Sequence, residues 1–239
     1  MTTLRNTLTL LLLFFAPRLM AQPEEVQRLM AAYEVIVDFR NNHLIFADGS
    51  TLQYDDGTKK SPAEALDRAD VEDMFSEPYN RMMPPTNDAG RIRSDALFRK
   101  LYGNSAAEVE SHLEWVDWCP RLVGQRLWIT GLYGAAEALR RVSEELDRHP
   151  EWAPYLKDAS TLNWRKIAGT DRLSAHSFGI AIDISVAQSD YWRWSKSGDY
   201  RNRIPEQLVA VFEQNGFIWG GRWMHFDTMH FEYRPELLP

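Results

Sequence analysis

Residues Ile180-Ala181-Ile182-Asp183-Ile184 alternate strictly, which is the period of a β-strand and of no helix. The isoleucines share one face, and this leaves Ala181 and Asp183 together on the other. A carboxylate on the inward face of a strand is costly to bury unless a charge or a metal ion compensates it. Any fold this chain adopts must therefore bring such a partner to Asp183. Two histidines are placed to do so. His176 lies on the loop that enters the strand, where Gly179 permits a tight turn, and His230 lies in the strand-like run 229–233 near the end of the chain.

Composition narrows the choice of partner. Of the 239 residues one is cysteine, Cys119, so an internal disulfide framework and any zinc site built from several thiolates are excluded. A metal would have to be held by histidine and carboxylate. A catalytic zinc takes three such ligands and keeps one position open for water, and His176, Asp183 and His230 can supply that set. Asp227, three residues before His230, is then free to act as general base. The net charge of -7 and the scattering of Lys and Arg speak against a nucleic-acid partner. The hydrophobic fraction of 44% is enough to build a core and excludes wholesale disorder.

The first residues have the form of a cleaved signal peptide. Arg5 precedes a short apolar run from Leu8 to Phe15, and Leu19-Met20-Ala21 ends on a small residue. The run is shorter than the roughly 20 residues that span a bilayer, so the expected product begins at Gln22, lies outside the cytoplasm and has no stable membrane insertion. The expected division is 1–21 signal peptide, 22–120 an N-terminal region with no catalytic constellation, and 121–239 the domain that carries the chemistry. Within the N-terminal region, 24–33 reads as a helix and 35–37, 43–46 and 51–54 as strands. Capping boxes at Ser61 and Ser105 start two more helices. Later, 127–129 and 161–167 read as strands, 135–146 as a helix, 205–216 as a helix bounded by proline and glycine, and 217–219 as a strand. This irregular order implies an α+β fold with a small, largely antiparallel sheet flanked by helices.

The motif Ser-x-His-x-x-Gly-x-Ala-x-Asp from Ser174 to Asp183, followed by Trp219-Gly220-Gly221-x-Trp223 and by Asp227-x-x-His230-Phe231-Glu232, resembles the zinc D-alanyl-D-alanine carboxypeptidases of the VanY type and the L-alanyl-D-glutamate endopeptidases of phage lysins. The resemblance covers roughly 162–233. It implies the α+β fold shared with Hedgehog signalling domains, Zn2+ on His176, Asp183 and His230, and Asp227 as catalytic base. It also implies a secreted or periplasmic, monomeric peptidase acting on peptidoglycan stem peptides. That enzyme would be in first place a D,D-carboxypeptidase, with an endopeptidase or a catalytically silent cell-wall-binding domain as alternatives. Members of the family often carry an arginine in a Gly-Tyr-Arg sequence after an early strand, where this chain reads Gly131-Leu132-Tyr133. Arg165 is the candidate replacement and Arg172 the second, because a guanidinium fork suits a carboxylate or an oxyanion. Arg172, Ser174 and Trp223 are expected to contact substrate. The aromatic run from Tyr191 to Trp194 is expected to pack as core or lid, His225 to stand beside the ligands or touch substrate, and Glu232 to orient His230 through its second ring nitrogen.

Overall fold

The structure, a computed structural model, describes residues 22–167, 169–195 and 199–238. The expected signal peptide lies outside them. Helix α1 (Glu24–Ala32) leads into an antiparallel meander of β1 (Ile36–Arg40), β2 (His43–Phe46) and β3 (Thr51–Gln53). Helix α2 (Pro62–Arg68) opens on a complete capping box: Ser61 accepts from the Glu64 N–H while the Glu64 carboxylate receives the Ser61 N–H. Helices α3 (Asp95–Tyr102) and α4 (Ala106–Glu110) follow. Ser105 caps α4, but there the Glu108 carboxylate takes the N–H of Asn104.

Strands β4 (Leu113–Trp118) and β5 (Gln125–Thr130) form a hairpin on which α5 (Ala135–Leu146) packs. Helix α5 buries Leu139, Val142 and Leu146, the stripe its spacing predicts, and it also touches α7. A short α6 (Ala153–Leu156) offers the Leu156 carbonyl to the indole N–H of buried Trp118. The last sheet has the order β6 (Ala181–Asp183), β8 (His230–Tyr233), β7 (Phe217–Trp219), all antiparallel, with α7 (Glu206–Gln214) against β7. Pro205 is the cap residue of α7 rather than its first turn. The result is α+β, with small antiparallel sheets and helices around them.

One expectation needs correction. Residues 161–167 do not form a strand. Their backbone is bound by a side chain and by its own continuation: Ser177 Oγ receives the Arg165 N–H and donates to main-chain carbonyls of this segment, and Lys166 bridges to Leu173 across a tight turn. A hydroxyl and a local turn meet the demand that a neighbouring strand would otherwise satisfy. The N-terminal region and the segment after it share a core. Residue 120 lies in the turn of the β4–β5 hairpin, and one continuous core takes Val26, Leu44 and Leu97 from one side of it and Leu139, Ile182 and Phe231 from the other.

An ionic cluster also ties these parts together. Arg234, fully buried, lies between the carboxylates of Glu232 and Glu236, donates to the Gly90 carbonyl and places its guanidinium over the Phe98 ring. Glu236 also accepts the hydroxyl proton of Tyr33 at the end of α1. Removing the cation would leave buried Glu236 with only the Tyr33 hydroxyl and take one of the two arginines from Glu232. Arg234→Met is therefore expected to cost about 3–5 kcal/mol of unfolding free energy, read as a lowered urea midpoint. A loss below about 1 kcal/mol, the range of an exposed pair, would show that Arg234 is not the tie described.

Candidate metal and catalytic site

Each group at the site is placed by a different element. His176 stands on a single 3-10 turn, Ala175–Phe178, which ends at Gly179 with φ 65°. The left-handed backbone favours glycine, and so does the space. A Cβ there would lie 2.8 Å from Leu113 Cδ2 and 3.3 Å from the Thr130 nitrogen, whose N–H donates to the Gly179 carbonyl. Asp183 ends β6, and the antiparallel register sets it directly opposite His230 on β8. Asp227 lies on the approach to β8, where its N–H donates to the Gly220 carbonyl and its own carbonyl accepts from His230.

Three candidate ligand atoms converge. Asp183 Oδ1 lies 2.8 Å from His230 Nδ1 and 3.1 Å from His176 Nε2, and the two nitrogens are 3.2 Å apart. The remaining ring nitrogens are both taken. His176 Nδ1 bonds the Thr161 carbonyl, and His230 Nε2 lies 2.9 Å from Glu232 Oε1, as expected for Glu232. This bonding directs one nitrogen of each ring into the cluster and would set the tautomer of each neutral ring, the arrangement found around metal-bound imidazoles. His176, Asp183 and His230 thus could hold a metal ion, and two imidazoles with one carboxylate suit zinc by chemistry.

The electrostatics agree. Burial opposes ionisation of Asp183, yet hydrogen bonds from both imidazoles hold it well below the usual carboxylate range. Burial likewise opposes charge on His230, but Asp183 and Glu232 raise its imidazole to about 10. Glu232, also against burial, is kept ionised by Arg93 at 2.7 Å, by His230 and by Arg234. Asp227 goes the other way. Burial pushes its carboxyl up to about 6, and one of its oxygens is buried with no hydrogen-bond partner among the described residues.

The ligand set and Asp227 open into one cleft, and the remaining expected residues line it as well: Arg165, Arg172, Ser174 and Trp223. Arg165 is exposed, whereas Arg172 is half-buried. Tyr191, Trp192 and Arg193 also form part of the wall, so the aromatic run borders the site instead of only filling core or covering it. His225 faces the same cleft, with Nδ1 2.6 Å from Asp88 Oδ2 and its ring edge-on to Trp192. Sequence reasoning missed Asp88, Arg91 and Arg93. They come from the N-terminal region, and no short-range pattern links them to motifs more than 80 residues later.

Residues 168–233 match the family model described as D-alanyl-D-alanine carboxypeptidase, a span well under half of the chain that holds His176, Asp183, Asp227 and His230. The match supports a peptidase of the M15 family. No curated protein and no solved structure matches the chain. Among the described residues no helix is long and apolar enough to cross a membrane.

A metal ligand must be an unprotonated imidazole, whereas His230 without metal keeps its proton up to about pH 10. Zinc binding at neutral pH is therefore expected to expel about one proton, and zinc affinity to rise by roughly tenfold per pH unit between about pH 6 and 9. Calorimetry in buffers of different ionisation enthalpy reads the proton count. An affinity independent of pH over that range would contradict the placement of His230 in the ligand set.

Proposed function

We propose that the protein is an exported zinc peptidase that hydrolyses peptidoglycan stem peptides, in first place as a D-alanyl-D-alanine carboxypeptidase. The observation that carries this reading is the pairing of two kinds of carboxylate in one cleft. Asp183 is held ionised between two imidazoles, while Asp227 is raised towards neutrality with an oxygen left free. The family match over 168–233 supports the same reading. The run-in from Arg5 to Ala21 supports export, and the acidic composition speaks against nucleic acid as a partner.

His176 Nε2, Asp183 and His230 Nδ1 would hold the ion, which when bound supplies a Lewis acid and a water acidic near neutral pH. The chain's own residues do the rest. The free oxygen of Asp227 accepts a proton from the attacking water and returns it to the amine that leaves. Burial, which raises this carboxyl above the usual carboxylate range, favours its taking up the proton. Glu232 and the Thr161 carbonyl keep the two imidazoles in the required tautomers throughout. Arg165, on the exposed rim, faces the negative charge that develops on the scissile carbonyl oxygen. Ser174 and Trp223 shape the cleft around the peptide, and the enzyme works as a monomer.

Zinc-loaded protein incubated with a pentapeptide muropeptide is expected to release a single terminal D-alanine, seen by mass spectrometry. Asp227→Asn should keep its zinc and its fold while the rate falls by roughly a hundred to ten thousand, the range for a positioned general base. Failure to cut any stem-peptide bond, or an Asn variant with the wild-type rate, would overturn the proposal.

A further inference from the structure

The β4–β5 hairpin departs from the usual division of an antiparallel pair into an apolar inner face and a polar outer one. Val116, Trp118, Leu127 and Ile129 are buried on its inner side. On the outer side Asp117 stands opposite Arg126 and pairs with it at 3.3 Å, as suits a face in water. Two residues along, Trp115 stands directly opposite Trp128, with ring centroids 4.7 Å apart and planes inclined by 31°. Arg126 also places its guanidinium 4.7 Å from the centre of the Trp115 ring. Packed in this way, Trp115 is still 48% exposed and Trp128 39%. Buried Trp118 and Trp219 donate their indole N–H groups to main-chain carbonyls, whereas those of Trp115 and Trp128 meet no acceptor among the described residues.

A further two residues along, the same face is covered. Leu113 and Thr130, again opposite each other, pack on Gly179, whose carbonyl accepts the Thr130 N–H. Gly179 closes the turn that carries His176. The tryptophan pair therefore stands about 7 Å along the strands from the segment that bears the ligand set. A cross-strand aromatic pair contributes about 0.2–1 kcal/mol to a hairpin through the contact between its rings, and that contact makes no use of the surface left open.

The open area decides what can occupy it. A tryptophan side chain can bury up to about 250 Å², so the pair offers roughly 200 Å², far below the ~800 Å² that each partner brings to a stable protein complex. A second copy of the chain is too large a partner for such a patch. The ion pairs Asp117–Arg126 and Glu114–Arg140 at the edges of the hairpin oppose insertion into a bilayer. What fits is a ligand with small apolar faces and a rim of neutral polar groups. A pyranose chain has both: its ring C–H groups face the electron-rich surface of an indole, while its hydroxyl and acetamido groups accept from the indole N–H groups and Arg126 and donate to Asp117.

We propose that the Trp115–Trp128 face of the hairpin is a glycan-binding platform, which takes sugar rings of the polymer from which the stem peptides hang. The inference rests on the peptidase reading and adds to it: the platform holds the enzyme on the glycan while the cleft handles the peptide.

The test uses the zinc-loaded full chain and tetra-N-acetylchitotetraose as a soluble, peptide-free probe. Calorimetric titration is expected to show binding that Trp115→Ala with Trp128→Ala weakens by about tenfold or more. The same variant should hydrolyse a soluble pentapeptide with wild-type kcat and KM, and lose activity on intact peptidoglycan through a raised KM. The single variants Trp115→Phe and Trp128→Phe keep an aromatic pair on the hairpin and assign the two indole N–H resonances. In the wild-type NMR spectrum the probe should shift these two and leave those of Trp118 and Trp219 in place, a readout that stands if the double variant fails to fold. A wild type that does not bind the probe, a folded double variant with unchanged affinity, or shifts confined to other tryptophans would overturn the platform. Probe binding at the pair in a protein that cuts no stem peptide would keep the platform and contradict the peptidase reading. Hydrolysis of stems without probe binding would do the reverse.

Discussion

A single buried carboxylate, Glu232, joins the ligand set to the rest of the molecule. It receives Arg93 from the N-terminal region, Arg234 from the end of its own strand and the second ring nitrogen of His230. Three cationic or hydrogen-bonding partners around one carboxylate offset the cost of burying it, and they also lock it in place. Because Glu232 cannot move, His230 cannot rotate, and its Nδ1 stays directed at Asp183. Arg234 passes the same constraint to Glu236 and Tyr33, so the first helix and the last turn of the chain hold the site from behind.

This arrangement explains why the ligand segment is wrapped by so much additional chain. The β6–β8–β7 sheet supplies the register that brings Asp183 and His230 together, but its strands are only three or four residues long. So small a sheet buries little apolar surface of its own. The core that steadies it includes Leu97 and Phe98 of α3, with Phe98 packed at 5.7 Å from Phe178 on the turn that carries His176. The N-terminal region thus acts on the site in three ways: packing beneath the His176 turn, charge compensation at Glu232, and Arg91 in the cleft wall, with Asp88 holding His225.

Much of the site was legible in the sequence because its parts lie in two short segments governed by strand periodicity. The alternation from Ile180 to Ile184 placed Asp183 on one face, and the antiparallel pairing of that strand with the 230–233 strand completed the set. Helix α5 was equally plain, since its apolar stripe and the burial agree. What could not be read depended on distant partners. Arg93 and Glu232 stand 139 residues apart, and nothing local to either announces the other. The false strand at 161–167 arose because an extended backbone reads alike whether a strand or a serine hydroxyl satisfies it. Strand β4 escaped notice for the opposite reason: Trp115 and Trp128 pack together, tilted, on its exposed side, so large apolar residues occupy both faces and blur the alternation. Helix α3 did carry a signal, a Ser94 cap before Leu97, Phe98, Leu101 and Tyr102, and could have been found.

The proposed reading places one ion between His176, Asp183 and His230. A crystal structure of the zinc-loaded protein, with anomalous data on both sides of the zinc edge, locates it. One strong anomalous peak is expected within about 2.0–2.2 Å of His176 Nε2, an Asp183 oxygen and His230 Nδ1, with Asp227 beside it but not bound. A peak coordinated by Asp227 in place of Asp183, or no zinc at this cluster in a protein that hydrolyses stem peptides, would contradict it.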